Sequence, residues 1–367
     1  MYRRLALILL ACFALVLISI PVFFVKTSYS PATLIASAYQ EGIFGKPDPA
    51  KATEWFRYAA NKGDPISEYQ LARRLQYGQG VEIDTVAARK LFTHSADQGY
   101  APAQHFMALL ALAGIDEPQD FVKAAHLLSL AAAQGHANSR VELGYLYRSG
   151  TGVKQDLARA FELAEKAAAQ GNDRGITLLA TIYLFGEGIP QDQKKAIELL
   201  QQAAELGEDQ AEEMLGGAAL NGIGSPKNTA TALQWYTKAA EHGRENAQFV
   251  LGLLYSGQDG GPKDDRLSSH WYLQAALQGH AVSQVTLAAR LDNGLGFSKN
   301  KTKACAMLRV ALKQDLPDNI RQPMQQQLKT EEGVLSSQQL DEVASLEILY
   351  STPEGMKQLE GDLVKQG

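Results

Sequence analysis

Residues 138–173 read NSRVELGYLYRSGTGVKQDLARAFELAEKAAAQGND and hold one complete unit of a repeat. From about Ser139 to Ser149 the spacing is helical, with Leu143, Gly144 and Tyr147 on one face. Gly150-Thr151-Gly152-Val153 interrupts it as a tight turn. Asp156 then opens a second helix carrying Ala160, Leu163, Ala167 and Ala168, and Gly171 closes it. After 36 residues the pattern starts again.

Outward from this unit, the closing glycine recurs at Gly63, Gly99, Gly135, Gly207, Gly243 and Gly279, with Asp315 in the eighth copy. The small residue of the first helix recurs as Ala36, Ala72, Ala108, Ala180, Gly216, Gly252 and Ala288. Each is preceded by an apolar residue, from Ile35 to Leu287. Eight copies without a net insertion define a solenoid of stacked helix pairs. The second helices start at Asp48, Asp84, Asp120, Asp156, Asp192, Asn228, Asp264 and Asn300, residue types whose side chains satisfy a free backbone N–H. Gly pairs ahead of them (Gly78/Gly80, Gly150/Gly152, Gly186/Gly188, Gly222/Gly224, Gly294/Gly296) supply positive φ for the turn. Copies one, three and seven depart from that spacing, so their turns should differ in shape. Trp55, Leu91, Leu127, Leu163, Leu199, Trp235, Trp271 and Met307 share one register, which reads as core.

These units resemble the Sel1-like repeat family, relatives of the tetratricopeptide repeats. Copies four and five carry the likeness most plainly. They read Val141-Glu142-Leu143-Gly144-Tyr145-Leu146-Tyr147 before Gly150-Thr151-Gly152-Val153, and Leu179-Ala180-Thr181-Ile182-Tyr183 before Gly186-Glu187-Gly188-Ile189. The resemblance implies an all-α, right-handed helical-hairpin solenoid of eight 36-residue Sel1-like repeats over residues 29–315. It also implies an adaptor that scaffolds protein complexes, including those of bacterial envelopes. Some extracytoplasmic members staple each repeat with a disulfide. Here the body holds one cysteine, Cys305, which reads as a small buried apolar residue. Residues 316–367 read as a C-terminal helical cap and tail. Ser336 with Gln339 offers a capping box ahead of Leu340, Val343, Leu346 and Leu349, and the stretch after Thr352 reads as a loose helix.

Leu5 to Val25 is free of charged residues, with Arg3 and Arg4 before it and Lys26 after it. A span needs about 20 apolar residues, and the positive-inside rule places the N-terminus in the cytoplasm. The expectation is a single-pass inner-membrane anchor over residues 1–26, with the repeats in the periplasm. A cleavable signal peptide is the rival, and Leu9-Leu10-Ala11-Cys12 resembles a lipoprotein box.

The 367 residues carry a net charge of −5, with no Lys/Arg run, which argues against a nucleic-acid role. No nucleophile, metal or phosphate motif is present, so neither an enzyme nor a cofactor is expected. Asn300-Lys301-Thr302 is a sequon, relevant only in a secreting host. By analogy with tetratricopeptide stacks, first-helix residues three before and one after the small register line a partner groove. Tyr69, Arg73, Tyr145 and Arg148, with Arg174 nearby, form an aromatic–Arg set typical of interface anchors. Phe249 and Leu253, with Leu220 and Val285, form a more apolar stretch. Protein partners in or at the membrane, on its periplasmic side, are expected. A secreted or lipid-anchored recognition protein for a surface or host ligand is the alternative.

Overall fold

Each second helix begins where an Asp or Asn stands. Its side-chain oxygen accepts from the backbone N–H three residues on, for instance Asp156 from Arg159 at 2.9 Å and Asp84 from Ala87 at 2.8 Å. The computed structural model describes residues 29–364, and among them every regular element is helical. The repeats pair α1 (Pro31–Glu41) with α2 (Pro49–Ala60), α3 (Pro65–Tyr77) with α4 (Thr85–Asp97), and α5 (Ala101–Ala113) with α6 (Phe121–Ala133). There follow α7 (Ala137–Ser149) with α8 (Leu157–Ala168), α9 (Asp173–Phe185) with α10 (Gln193–Glu205), and α11 (Asp209–Asn221) with α12 (Thr229–Glu241). Then come α13 (Glu245–Tyr255) with α14 (Asp265–Leu277), and α15 (Ala281–Asn293) with α16 (Lys301–Leu312). The cap is α17 (Asp318–Glu332), α18 (Ser337–Tyr350) and α19 (Pro353–Val364). Two units divide after Gln134. The first holds α1–α6 and the second α7–α19.

The glycine turns do more than supply positive φ. A Cβ on Gly80 would sit 2.4 Å from the Pro49 carbonyl at the start of α2, and one on Gly296 would sit 2.2 Å from the Asp265 carbonyl of α14. With Gly188 against Leu157 and Gly224 against Ile197, the second glycine of the turn lets copies two, five, six and eight abut the second helix before them. Copies three and seven do turn differently: Asp116 has φ 66°, and copy seven inserts a 3₁₀ turn at Gln258–Gly260 with Asp259 at φ 51°.

In six copies the core register lies one residue beyond the expected one. Trp55, Leu91, Leu127, Leu163, Trp235 and Trp271 are only half-buried, whereas Leu199 and Met307 are buried as expected, and Phe56, Phe92, Leu128, Ala164, Leu200, Tyr236, Tyr272 and Leu308 are buried in every copy. The buried column meets the small residue of the first helix. A Cβ on Gly252 would lie 2.8 Å from the Tyr272 ring, and one on Gly216 would lie 2.9 Å from that of Tyr236. Glycine therefore stands beneath the two tyrosines, and alanine beneath the leucines.

Within each unit a second periodic device ties the helices of a pair. Gln98 donates to Glu68 (2.7 Å) and Gln134 to Gln104 (2.9 Å) in the first unit. Gln278 donates to Gln248 (2.8 Å) and Gln314 to Gln284 (2.6 Å) in the second. Copy five replaces the polar pair with Ile176 and Leu206. Gln104, Gln248 and Gln284 also donate to the carbonyls of Ala96, Ala240 and Ala276, covering groups left free at the preceding helix end.

Cys305 is fully buried with its thiol facing Glu331, and burial, reinforced by the Glu331 carboxylate, pushes its pKa up to about 12. The capping box of Ser336 and Gln339 opens α18. The stretch after Thr352 is not a loose helix. Met356, Leu359 and Leu363 of α19 bury themselves in the terminal core with Leu273, Ala276 and Leu308.

The single-pass inner-membrane placement is corrected. No helix among the described residues is long and apolar enough to cross a membrane. The stretch from Leu5 to Val25, on which that expectation rested, lies outside the described residues.

Candidate partner-binding surface

The first helices begin at the residue after each closing glycine, and this residue is their N-cap. Asp64, His136, Asn172, Glu208 and His280 each accept a backbone N–H through the side chain. The same residue receives the register expected to line the groove. Thr33 donates to Asp64, and Tyr69 stacks edge-on against Tyr100 with centroids 5.5 Å apart. In the second unit Thr177 donates to Glu208 at 3.3 Å, Arg244 to Glu213 at 2.7 Å, and Phe249 lies 4.8 Å from the His280 ring. The position three before the small residue is thus a joint between neighbouring repeats. Burial raises the Tyr69 and Tyr145 phenol pKa values, and neither ring is freely exposed.

The position one after the small residue is more open. In the first unit Arg73 is exposed and, among the described residues, has no ion pair or hydrogen bond. Leu109, one repeat on, is 37% exposed. Next to Arg73, Arg74 is buried and donates to the carbonyls of Pro49 and Gln79 and to Gln40. Burial and the charge of Arg73 both lower its pKa. In the second unit Leu253 is half-buried and Tyr145 partly so.

Two of the expected arginines are engaged by carboxylates. Arg148 makes a two-point pair with Glu187, at 2.5 and 2.9 Å, which raises the guanidinium pKa further. Arg174 pairs with Glu142 at 2.8 Å. The Arg174 pair joins α7 to α9, and the Arg148 pair joins α7 to the turn after α9. Arg148 is partly covered by the stack, whereas Arg174 stays exposed while paired. Tyr69 and Arg73 belong to the first unit; Tyr145, Arg148, Arg174, Phe249 and Leu253 belong to the second.

A feature the groove analogy did not reach lies between α12 and the end of α13. A cleft of about 490 Å³ is lined by Leu233, Gln234, Trp235, Thr237 and Lys238 of α12 and by Tyr255. No group of three or more His, Cys, Asp or Glu side chains among the described residues could hold a metal ion.

The Sel1 repeat family matches at residues 32–64, 65–100, 101–136, 137–172, 174–208, 209–243, 246–280 and 281–316. The chain belongs to the Sel1 repeat family. Among the solved structures that this Sel1 repeat protein is similar to are two that cover most of its length. One is a Sel1 repeat protein from Oxalobacter formigenes, 25% identical, covering 67% of this chain and 97% of its own, with a TM-score of 0.61. The other is a protective antigen present in uropathogenic Escherichia coli strains and displaying an SLR fold. It is 25% identical over 90% of this chain and 86% of its own, with a TM-score of 0.50. No curated protein matches the chain. Sel1 repeat solenoids act as protein-interaction scaffolds rather than enzymes, and protein partners follow from membership.

Proposed function

We propose that this chain is a scaffold that binds partner proteins on its first-helix face and so assembles a complex of the cell envelope. The observation that carries the proposal is Arg73, an exposed cation without a partner among the described residues, with the Tyr69 ring on the same helix. On a chain of net charge −5 such a cation suits an acidic segment of a partner. Leu109 extends the contact in the first unit. In the second unit Tyr145, Arg174, Phe249 and Leu253 provide a separate surface, with Arg148 acting through its pair with Glu187. Capture of partners by the purified full chain tests this proposal. Arg73→Glu should lower recovery at least about tenfold, the range of an arginine anchor, with the helical signal intact. Undiminished capture removes the first-helix face as the site.

A second reading is recognition of a surface or host ligand by a displayed chain. It is favoured by the likeness, across 90% of the chain, to a protein described as a protective antigen. Binding to host material rather than to proteins of the producing cell would select it.

A further inference from the structure

The cap helix α19 covers the outer side of α14. Gln274 of α14 donates to Glu360 of α19 at 2.8 Å, and Met356 and Leu359 enter the core cluster that contains Leu273. One repeat earlier, α12 presents the same register open. Trp235 stands where Trp271 does, and Lys238 where Gln274 does. The Lys238 ammonium lies 4.4 Å over the Trp235 ring, and among the described residues no carboxylate is within ion-pair reach of it. Beside them lies the 490 Å³ cleft closed on one side by Tyr255.

We propose that this cleft docks an amphipathic helix of another protein, seated on α12 as α19 is seated on α14. A carboxylate of that helix meets Lys238 where Glu360 meets Gln274. An ammonium in place of an amide makes the contact charge-assisted, and the half-buried Trp235 and Tyr255 rings receive the apolar side of the helix. The chain's own α19 is already placed on α14, so the occupant comes from elsewhere. The site lies on α12 and the C-terminal end of α13, and shares no residue with the first-helix face proposed above.

The internal precedent supplies the probe: a fluorescein-labelled peptide of residues 351–364, titrated with the full chain and followed by anisotropy. Saturable binding is expected. Lys238→Glu should weaken it about fivefold or more, and a Glu360→Lys peptide should recover affinity for that variant. Lys238 is exposed, so circular dichroism of the variant should match the parent. Absence of saturable binding up to about 1 mM overturns the proposal. So does binding that is indifferent to Lys238→Glu. Sensitivity to Gln274→Ala alone also overturns it, because the peptide would then be exchanging with α19.

Discussion

His280 caps α15 with a ring nitrogen, accepting the Ser283 N–H at 3.2 Å, and this requires an unprotonated Nδ1. Burial lowers its pKa, against the opposing charge of Glu245. With the unfolded value near ~6.5, this cap contributes stability above that pH and loses it as pH falls through the interval down to the folded pKa. His280→Asn keeps the cap and removes the titration. Its melting temperature should fall less between about pH 7 and pH 5 than that of the parent, and equal slopes would count against the assignment. Glu208 behaves oppositely. Burial raises its carboxyl pKa although it accepts the Ala211 N–H at 2.7 Å, so its contribution is fullest at low pH and declines as pH rises through the folded value. Glu208→Asn, the residue type found at Asn172, should stabilise the chain more at pH 7 than at pH 4. Thermal melts at the two pH values check this. The second-helix caps were legible because Asp and Asn recur there. The first-helix caps were not, because the same column holds Asp, Tyr, His, Asn, Glu and Arg, and histidine and glutamate are unusual cap types.

The column of small residues in the first helix, by contrast, announces close packing from the sequence alone. Gly252 lies against the Tyr272 ring, and a methyl there forces the ring or the helix to move. Gly252→Ala should cost about 1–2 kcal/mol net of the gain in helix propensity, read as a fall in melting temperature. Adding Tyr272→Leu recreates the pairing of Ala180 with Leu200. The double variant should recover part of the loss, and strict additivity would refute the packing account. The choice between the Trp235 and Tyr236 columns was not legible. Both hold large residues side by side in several copies; the second column is buried throughout, and the first is buried with it only at Leu199 and Met307. Likewise the groove residues were chosen by register. Yet Tyr69 and Phe249 face the cap residues of the next repeat, a contact across some 31 residues that no local pattern reveals.

For the whole molecule, the 36-residue spacing made the Sel1 solenoid legible and left the partner open, because exposed positions vary from copy to copy without a period to read. The N-terminal apolar stretch invited a membrane placement that no described helix supports. What distinguishes the proposed surface is an exposed arginine that the stack does not use, set against Arg148 and Arg174, which it does. The most direct test is site-specific photocrosslinking in living cells of the producing organism. Arg73→p-benzoylphenylalanine is compared with the same substitution at the exposed Glu54 of α2. Discrete crosslinked partners from position 73, weak or absent from position 54, are predicted. Identical patterns from both positions, or none from position 73, would contradict a scaffold that works through its first-helix face.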